Sequence, residues 1–312
     1  MFQSLVEPEI AELVRSSGSS VCVFPINGTR RWFMLEHTVP EGADWAQVYC
    51  DVSAARHIDL YRMFFDHGIE TLLTPIFGPD LLDRGEEYAR MAVDGLVWLA
   101  TDPRFLAFYH DHRVRVRFYG DHRRFLASRG YGYVSDLFDT ISAQTASYDR
   151  HRLFFGVCAH DATETIGELA VRYHSEHDCL PDKKTLVQMY YGEYVEPVSL
   201  FIGFDKPCVF DMPLVASGSE DLYFTVSPSP YLSRRQLRAI LYDHLYGRRG
   251  SDADYASLDA EEWRAMGEFY RANLDNTVGV GVRVGDIWYP LPQVAVPPEP
   301  SAVASALEDE RG

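Results

Sequence analysis

Two adjacent arginines follow a glycine turn near the start of the chain. An apolar run, VCVFPI, ends in the segment NGTRR at residues 27–31. A turn of this kind after a buried strand lets backbone N–H groups point at one spot, and guanidinium groups add charged donors that match phosphate oxygens. The segment therefore predicts an anion site. A common Asn-Gly hairpin turn with two solvated arginines explains the same residues equally well.

The acidic composition of the chain limits its partners. Its 312 residues include 46 acidic and 29 basic side chains, which gives a formal net charge of −17. Nucleic-acid binding needs a basic face, so this composition argues against a nucleic-acid partner. An anionic ligand would need a local cluster of arginines.

Aromatic residues offer a second kind of chemistry. Tyrosine, phenylalanine and tryptophan number 19, 18 and 5, with clusters such as MYYGEYV and DLYFTVSPSPYL. Aromatic rings can shelter a carbocation and tyrosine hydroxyls can exchange protons, although most aromatic side chains belong to the core. An arginine-lined anion site beside an aromatic pocket suits a prenyl diphosphate.

Other catalytic and metal-binding patterns are incomplete. The chain has no GxSxG nucleophile elbow, no GxGxxG ahead of a helix, and neither a DDxxD cluster nor a DxDD motif. His160, Glu164 and Glu168 have a helical spacing that can hold a divalent ion. A solvated helix face that begins at a capping Asp161 explains that spacing more simply.

The cysteines and the apolar runs predict the compartment. The five cysteines show no CxxC spacing and indicate reduced thiols. No apolar run reaches the roughly 18 residues of a membrane span, and the N-terminal MFQSLVEPEIAEL carries acids where a signal peptide carries bases. We predict a cytoplasmic protein without stable membrane insertion.

The elements that must position these residues alternate in type. Strand-like runs such as SVCVFP, TLLTPIF, VRVRFYG and RLFFGVCA are separated by segments of helical period, including residues 44–67 and 80–100. This alternation predicts an α/β fold with a mainly parallel central sheet flanked by helices, in which ligands bind beyond the carboxyl ends of the strands. We predict a single domain over residues 1–295 and a disordered tail over residues 296–312.

Several long motifs resemble a known family. VFPINGTRRWF resembles the DGNGRW-type opening of cis-prenyltransferases, and more closely the FPFDGTRRWF opening of the tuberculosinol/isotuberculosinol synthase branch of terpene synthases. The likeness continues through HGIETLLTPIFGPDLLDRGEEY, VRFYGDHRRFL, HRLFFGVCAHDATETIGELA and SGSEDLYFTVSPSPYLSRRQLRAILYDHLY. It covers nearly the whole chain except the tail.

The resemblance implies a fold, a reaction and a site. It implies the cis-prenyltransferase (undecaprenyl diphosphate synthase) fold, a homodimer, and Mg²⁺-assisted ionisation of an allylic diphosphate held at the end of the first strand. Tyr49 and Tyr88 match tyrosines that line the synthase pocket and steer the cation or the attacking nucleophile. By the same matching, the residues that would hold the diphosphate are Gly28, Thr29, Arg30 and Arg31.

Asn27 departs from the family pattern. The family has an aspartate there that handles magnesium and diphosphate, so Asn27 is included among the catalytic and metal-site positions. A neutral amide is a poorer Mg²⁺ ligand than a carboxylate and cannot act as a base. We therefore expect metal-assisted departure of diphosphate to be weaker unless Asp44 or Asp51 substitutes. Residues 200–214 also lack the family's RxxxRxS element and offer only Lys206, which disfavours chain elongation with isopentenyl diphosphate.

Three functions stay open on these residues. The leading prediction is a terpene synthase that ionises a prenyl or bicyclic diterpenyl diphosphate, releases diphosphate and quenches the carbocation with water or by proton loss. The first alternative is a prenyl or diterpenyl transferase to a nucleoside or another acceptor. The second is a non-catalytic subunit that binds a prenyl diphosphate, in which Asn27 marks a lost ionising function.

Overall fold

The chain forms two compact units. The computed structural model describes residues 2–18, 21–248, 255–284 and 287–291. Residues 1–248 make up the first unit and residues 249–312 the second. The prediction of one domain over residues 1–295 stays a prediction, and the predicted tail at residues 296–312 lies outside the described residues.

A parallel six-stranded sheet forms the centre of the first unit. Its strands are β1 (Val21–Val23), β2 (Thr71–Phe77), β3 (Val114–Tyr119), β4 (His151–Val157), β5 (Leu200–Phe204) and β6 (Asp221–Thr225). They lie in the order β3-β4-β2-β1-β5-β6, and every neighbouring pair is parallel. The predicted α/β fold with a mainly parallel sheet is confirmed.

Helices connect these strands and cover the sheet. The α-helices described in this unit are α1 (Glu7–Ser16), α2 (Thr29–Glu36), α3 (Trp45–Asp66), α4 (Glu86–Thr101), α5 (Pro103–Asp111), α6 (His122–Ser128), α7 (Tyr133–Gln144), α8 (Thr163–His177), α9 (Lys183–Tyr191) and α10 (Arg234–Tyr242). Short 3-10 turns lie at Phe2–Ser4, Pro79–Asp83 and Ser229–Tyr231, and a π-helical turn at Asp243–Gly247 follows α10. No described helix is both long enough and apolar enough to cross a membrane.

The strands are apolar on both faces because both faces are covered. Cys22 pairs with Leu72 and Val23 pairs with Leu73 across β1 and β2. Side chains alternate along a strand, so the first pair packs in the core beneath α1, α3, α4 and α5 and the second pair in the core beneath α9. This burial explains why the sequence shows continuous apolar runs in place of an alternating pattern.

β1 occupies a special position in the sheet. β2 lies on one side of β1 and β5 on the other, so the strand order changes direction there. In open α/β sheets, ligands bind outside the carboxyl ends of the strands at such a switch point. The segment at residues 27–31 follows β1 directly and therefore lies at this point.

Two local predictions were wrong. The helix predicted over residues 80–100 is a 3-10 turn at Pro79–Asp83 followed by α4, because Gly85 interrupts it with a φ of 101°. The second wrong prediction is that His160 shares a helical face with Glu164 and Glu168. α8 begins only at Thr163, and Asp161 accepts a hydrogen bond from the Thr163 hydroxyl at 2.9 Å in place of capping the helix.

The second unit is small. Its described elements are a 3-10 turn at Tyr255–Ser257, α11 (Ala260–Ala272) and the strands β7 (Gly281–Val284) and β8 (Ile287–Pro290). β7 and β8 pair in antiparallel register, with Gly281 opposite Pro290. The sequence predicts a helix over residues 260–272, and the apolar, glycine-bearing run TVGVGVRVGDIWYPL that follows at residues 277–291 is typical of a terminal hairpin. The described elements agree with both.

Candidate active site

The segment at residues 27–31 forms a helix N-terminus. Gly28 is the N-cap residue of α2 in the left-handed conformation, with φ 79° and ψ 13°. A Cβ atom at Gly28 would lie 2.9 Å from the Phe204 ring and 2.9 Å from Pro228, so only glycine fits. The first N–H groups of a helix lack intrahelical acceptors and carry partial positive charge. The hairpin-turn interpretation is therefore wrong, and the backbone has the geometry of an anion site.

A distant segment fixes this loop in place. The backbone N–H of Asn27 donates to Oγ of Ser229 at 3.1 Å, and the N–H of Ser229 donates to the carbonyl of Asn27 at 3.0 Å. The buried Ser229 hydroxyl also donates to the carbonyl of Pro25 at 3.0 Å. Arg56 of α3 donates to the carbonyls of Pro230 and Leu232 at 2.8 and 3.0 Å. The loop after β1 is thus held by residues about two hundred positions later in the chain, which sequence reasoning did not find.

Two guanidinium groups lie against one tyrosine. Arg30 lies 5.7 Å from the ring centre of Tyr88 and 5.5 Å from that of Trp45. Arg84 lies 5.6 Å from the same Tyr88 ring and pairs with Asp80 at 2.6 Å. Cation-π contact of this kind orients a guanidinium group without using its donors. Arg84 is therefore an anion-site candidate that sequence reasoning missed.

The second predicted arginine lies on the β5 side of the loop. Arg31 lies 5.3 Å from the ring centre of Phe204 and 3.8 Å from a carboxylate oxygen of Asp205. Both side chains of this ion pair are substantially exposed, so the pair is loose and contributes little to stability. The guanidinium group stays accessible to a stronger anion.

Tyr49 belongs to an aromatic cluster beside the anion site. Its ring stacks on Trp45 with 5.1 Å between ring centres and meets Phe33 edge-on at 5.3 Å. Burial, and then the neighbouring Tyr88, raises the pKa of Tyr49 to about 12. The hydroxyl therefore stays protonated at neutral pH and can donate a hydrogen bond. The structure brings together all seven residues that the sequence nominated.

These residues line one cavity of about 800 Å³. Its apolar part lies between β2, α3 and α4. The residues that line this apolar part include Ile76, Phe77, Leu81, Met91, Ala92, Leu96, Leu99 and Phe105. Among the described residues, no aspartate or glutamate lines the cavity, whereas Arg30, Arg31 and Arg84 do. The cavity thus combines a cationic region with an apolar interior.

A histidine adjoins the anion site. Nε2 of His57 lies 3.3 Å from the hydroxyl of Thr29, the first residue of α2. Burial, and to a lesser extent Arg56, lowers the pKa of His57 to about 4, so the imidazole is neutral at pH 7. Sequence reasoning missed His57. The available signal was the spacing of polar residues every four positions along α3, which places them on one helical face.

The residues present do not fit a magnesium ion held by the protein. Mg²⁺ prefers carboxylate and phosphate oxygens in an octahedral arrangement. Near the anion site the cavity wall offers the amide of Asn27 and the Thr29 hydroxyl, which already contacts His57. Within the described residues, no three or more His, Cys, Asp or Glu side chains group as metal ligands would.

The two acids considered as substitutes for the family's aspartate lie elsewhere. Asp44 is the N-cap of α3 and accepts hydrogen bonds from the backbone N–H groups of Ala46 and Gln47. Asp51 pairs with Arg104 at 2.9 Å. Neither residue lines the cavity. Sequence proximity to Asn27 therefore does not place either carboxylate on the cavity wall.

Comparison with known proteins identifies the family. No protein-family model matches the chain. The chain is 41% identical over 290 residues to tuberculosinyl adenosine transferase of Mycobacterium tuberculosis, with 92% of this chain and 96% of the relative covered. The chain belongs to the tuberculosinyl adenosine transferase family. (+)-Kolavelool synthase of Herpetosiphon aurantiacus is a more distant relative, 24% identical over 282 residues that cover 89% of this chain and 91% of the relative.

Solved structures confirm the fold of this transferase family member. Lavandulyl diphosphate synthase from Lavandula x intermedia, solved with dimethylallyl diphosphate, superposes with a TM-score of 0.53 at 16% identity, covering 75% of this chain and 98% of the other. A probable undecaprenyl diphosphate synthase from Campylobacter jejuni gives a TM-score of 0.53 at 15% identity, with the same coverage. The predicted cis-prenyltransferase fold is confirmed.

The comparisons also bear on the activity. Both relatives are enzymes of the prenyl transferase or terpene synthase type, so the prediction of an enzyme of this type is confirmed. The relative at 41% identity is named a transferase, which agrees with the first alternative above, and the synthase name belongs to the relative at 24%. The predicted homodimer, the cytoplasmic location, the lack of a nucleic-acid partner and the role of magnesium stay predictions.

Proposed function

We propose that this chain transfers a prenyl or diterpenyl group from its diphosphate to a nucleoside-type acceptor. The observation that carries this proposal is one cavity in which three arginines and a helix N-terminus adjoin an apolar interior, with no carboxylate among the described lining residues. The family relationship to an adenosine transferase at 41% identity supports the acceptor class.

The first step is binding of the diphosphate group. The N-terminal N–H groups of α2 and the guanidinium groups of Arg30, Arg31 and Arg84 would donate hydrogen bonds to its oxygens. The prenyl chain would pack against the apolar residues of β2 and α4. A carboxylate on the wall would repel the anion, and none lies there among the described residues.

The second step is ionisation of the carbon–oxygen bond. The bond breaks with its electron pair on the leaving diphosphate, and the same arginines and N–H groups stabilise the charge that develops on it. The carbocation that remains would lie beside Tyr49, Tyr88 and Trp98, whose ring faces favour positive charge. No step requires a base at Asn27.

The third step is capture of the cation. A ring nitrogen of the acceptor forms the new carbon–nitrogen bond with its lone pair, so the adduct keeps one positive charge and releases no proton. Water in the same position would instead give an alcohol and release a proton. His57 is a neutral imidazole at pH 7 that lines the same cavity, and it would accept that proton. The terpene synthase function is thus the second candidate, supported by the relative at 24% identity.

The experiment is an acceptor competition. Purified protein is incubated with geranyl, farnesyl, geranylgeranyl or a bicyclic diterpenyl diphosphate, with and without adenosine. Released diphosphate and product masses are then measured. We expect a prenyl–adenosine adduct from at least one diphosphate, formed at the expense of alcohol or alkene.

The other outcomes assign the other functions. The same alcohol or alkene with and without adenosine would contradict the transferase and establish a synthase. Calorimetric binding of every diphosphate without any product would indicate the non-catalytic subunit.

A further inference from the structure

Two of the three cavity arginines are paired with aspartates. Arg84 lies 2.6 Å from a carboxylate oxygen of Asp80, and Arg31 lies 3.8 Å from one of Asp205. Arg30, the third, lies against aromatic rings. Neither aspartate lines the cavity, although both of their arginines do. Each carboxylate therefore holds one arginine of the cavity wall from outside that wall.

The two aspartates belong to the loops on either side of β1. β2 and β5 flank β1 in the sheet, and all three strands are parallel. Asp80 lies in the 3-10 turn that follows β2, and Asp205 directly follows β5. Asp205 has a left-handed φ of 72°, which aspartate adopts more readily than most side chains. The arginine segment after β1 thus lies between two loops that each carry a carboxylate.

Carboxylates in these positions oppose the binding of an anion. A carboxylate beside an arginine competes for its N–H donors and repels an approaching anion. All four side chains of the two pairs are substantially exposed, and exposed ion pairs contribute little to stability. Asparagine at either position would free the arginine and remove the repulsion. The main effect of these carboxylates is therefore on how tightly the cavity binds an anion.

The chemistry of the transfer reaction gives weaker binding a use. The diphosphate that leaves carries the same kind of charged group as the prenyl diphosphate that binds. An interaction that holds both equally lowers KM without accelerating the chemical step, and it also retains the product. Product release limits the turnover of many enzymes. A carboxylate that recovers its arginine while diphosphate leaves would speed this release and would not touch the reacting carbon.

We propose that Asp80 and Asp205 are positioning residues that hold Arg84 and Arg31 in the free protein, yield them to a bound diphosphate and recover them as it leaves. This inference rests on the proposed function for the identity of the anion. The shorter ion pair, at Asp80, should have the larger effect. The two aspartates thus set the balance between binding of the substrate and release of diphosphate.

The test replaces each aspartate by its amide, which keeps the shape and removes the charge. Inorganic diphosphate should bind about fivefold more tightly to Asp80→Asn and about twofold more tightly to Asp205→Asn, within the range of exposed ion pairs. In the transfer assay, the KM for the prenyl diphosphate and the inhibition constant of diphosphate should fall together. The kcat should also fall, because release becomes slower. Asp80→Glu keeps the charge and should resemble wild type.

Two further variants separate a role through arginine from a general effect of charge. Asp139→Asn is the matched control, because Asp139 also pairs with an exposed arginine at 2.6 Å and does not line the cavity. It should bind diphosphate as wild type does. In an Arg84→Gln background, Asp80→Asn should tighten binding much less, because no ion pair is left to release. Equal tightening with and without Arg84 would contradict a role through that arginine.

Calorimetry with inorganic diphosphate keeps this inference distinct from the proposed function, because it needs no turnover. Tighter binding to the two asparagine variants supports the inference even if no transfer product forms. Unchanged or weaker binding to either variant overturns the role of that aspartate even where transfer is observed. If wild type binds no diphosphate, both the inference and the first step of the proposed function are wrong.

Discussion

His57 and Thr29 connect α3 to the N-terminus of α2, with 3.3 Å between Nε2 of the imidazole and the threonine hydroxyl. Thr29 is the first residue of α2, so the imidazole lies beside the N–H groups that would bind a diphosphate. Burial and Arg56 lower the pKa of His57 to about 4. The imidazole of the free protein is therefore neutral over the physiological range.

This contact predicts a coupled change of pKa. A bound anion favours the charged imidazole, so inorganic diphosphate should raise the pKa of His57 from about 4 toward the ordinary histidine value. Imidazole carbon-bound proton shifts in an NMR pH titration would measure it. His122, whose pKa burial also lowers to about 4, lies outside the cavity and is the control. Diphosphate binding that moves neither resonance, or both equally, would contradict the location of the anion site.

Arg31 should contribute strongly to diphosphate affinity. A hydrogen bond to a charged group is worth about 1.5–3 kcal/mol, so Arg31→Ala should weaken binding of inorganic diphosphate by roughly ten- to a hundredfold and abolish turnover. Arg31→Lys should recover part of the affinity, because it keeps the charge but loses the forked geometry. Arg123→Ala is the control, since that exposed guanidinium group also pairs with one aspartate, Asp139, at 2.6 Å. Calorimetry gives the affinities, and equal values for Arg31→Ala and Arg123→Ala would refute the assignment.

Gly28 should tolerate no side chain. Gly28→Ala puts an L-residue in the left-handed region and a Cβ atom 2.9 Å from Phe204 and Pro228. We expect the free energy of unfolding to fall by at least about 1–2 kcal/mol and diphosphate affinity to fall as well. Gly130→Ala separates the two effects, because Gly130 has a φ of 82° and a Cβ there meets nothing within 4 Å. Urea unfolding and calorimetry should show the backbone cost in both variants and the loss of affinity only in Gly28→Ala.

Three histidines should make the fold sensitive to acid. Burial lowers the pKa of His57, His122 and His151 to about 4, whereas an unfolded histidine titrates near pH 6.5. Between these values the unfolded chain binds protons that the folded chain does not. Their contribution is therefore complete above about pH 6.5 and is lost as pH falls toward 4, by at most about 1.4 kcal/mol per pH unit for each histidine.

Replacement of one histidine would test this pH dependence. The His151 ring stacks on Phe65 with 4.3 Å between ring centres, so His151→Phe can keep the stacking and remove the titration. Urea midpoints measured from pH 7 to 4 should fall less steeply for this variant than for wild type. Parallel slopes would show that His151 does not carry the effect.

The sequence predicted the sheet and the glycine turn after β1 because each depends on local patterns. The apolar runs of β1 and β2 are continuous since both faces are buried, and the glycine turn has few conformations available. Two kinds of feature escaped prediction. The hydrogen bonds between Asn27 and Ser229 join positions far apart in the chain, and no local pattern encodes them. The row of polar residues on α3 was visible as a spacing, but only its position against the cavity distinguishes it from a solvated helix face.

Asn27 should decide whether magnesium contributes to diphosphate binding. The described cavity wall carries no carboxylate, so the wild-type affinity for inorganic diphosphate should be the same in EDTA and in Mg²⁺. Asn27→Asp adds a carboxylate, and the loop should keep its shape because Asn27 contacts Ser229 through backbone atoms. In EDTA the new charge should repel diphosphate and weaken binding by about tenfold, and Mg²⁺ should restore it by bridging the two anions. Calorimetry of both proteins under both conditions measures the four affinities. A wild type that loses affinity in EDTA would show that another ligand holds the ion, and an Asn27→Asp variant indifferent to Mg²⁺ would show that this position does not face the diphosphate.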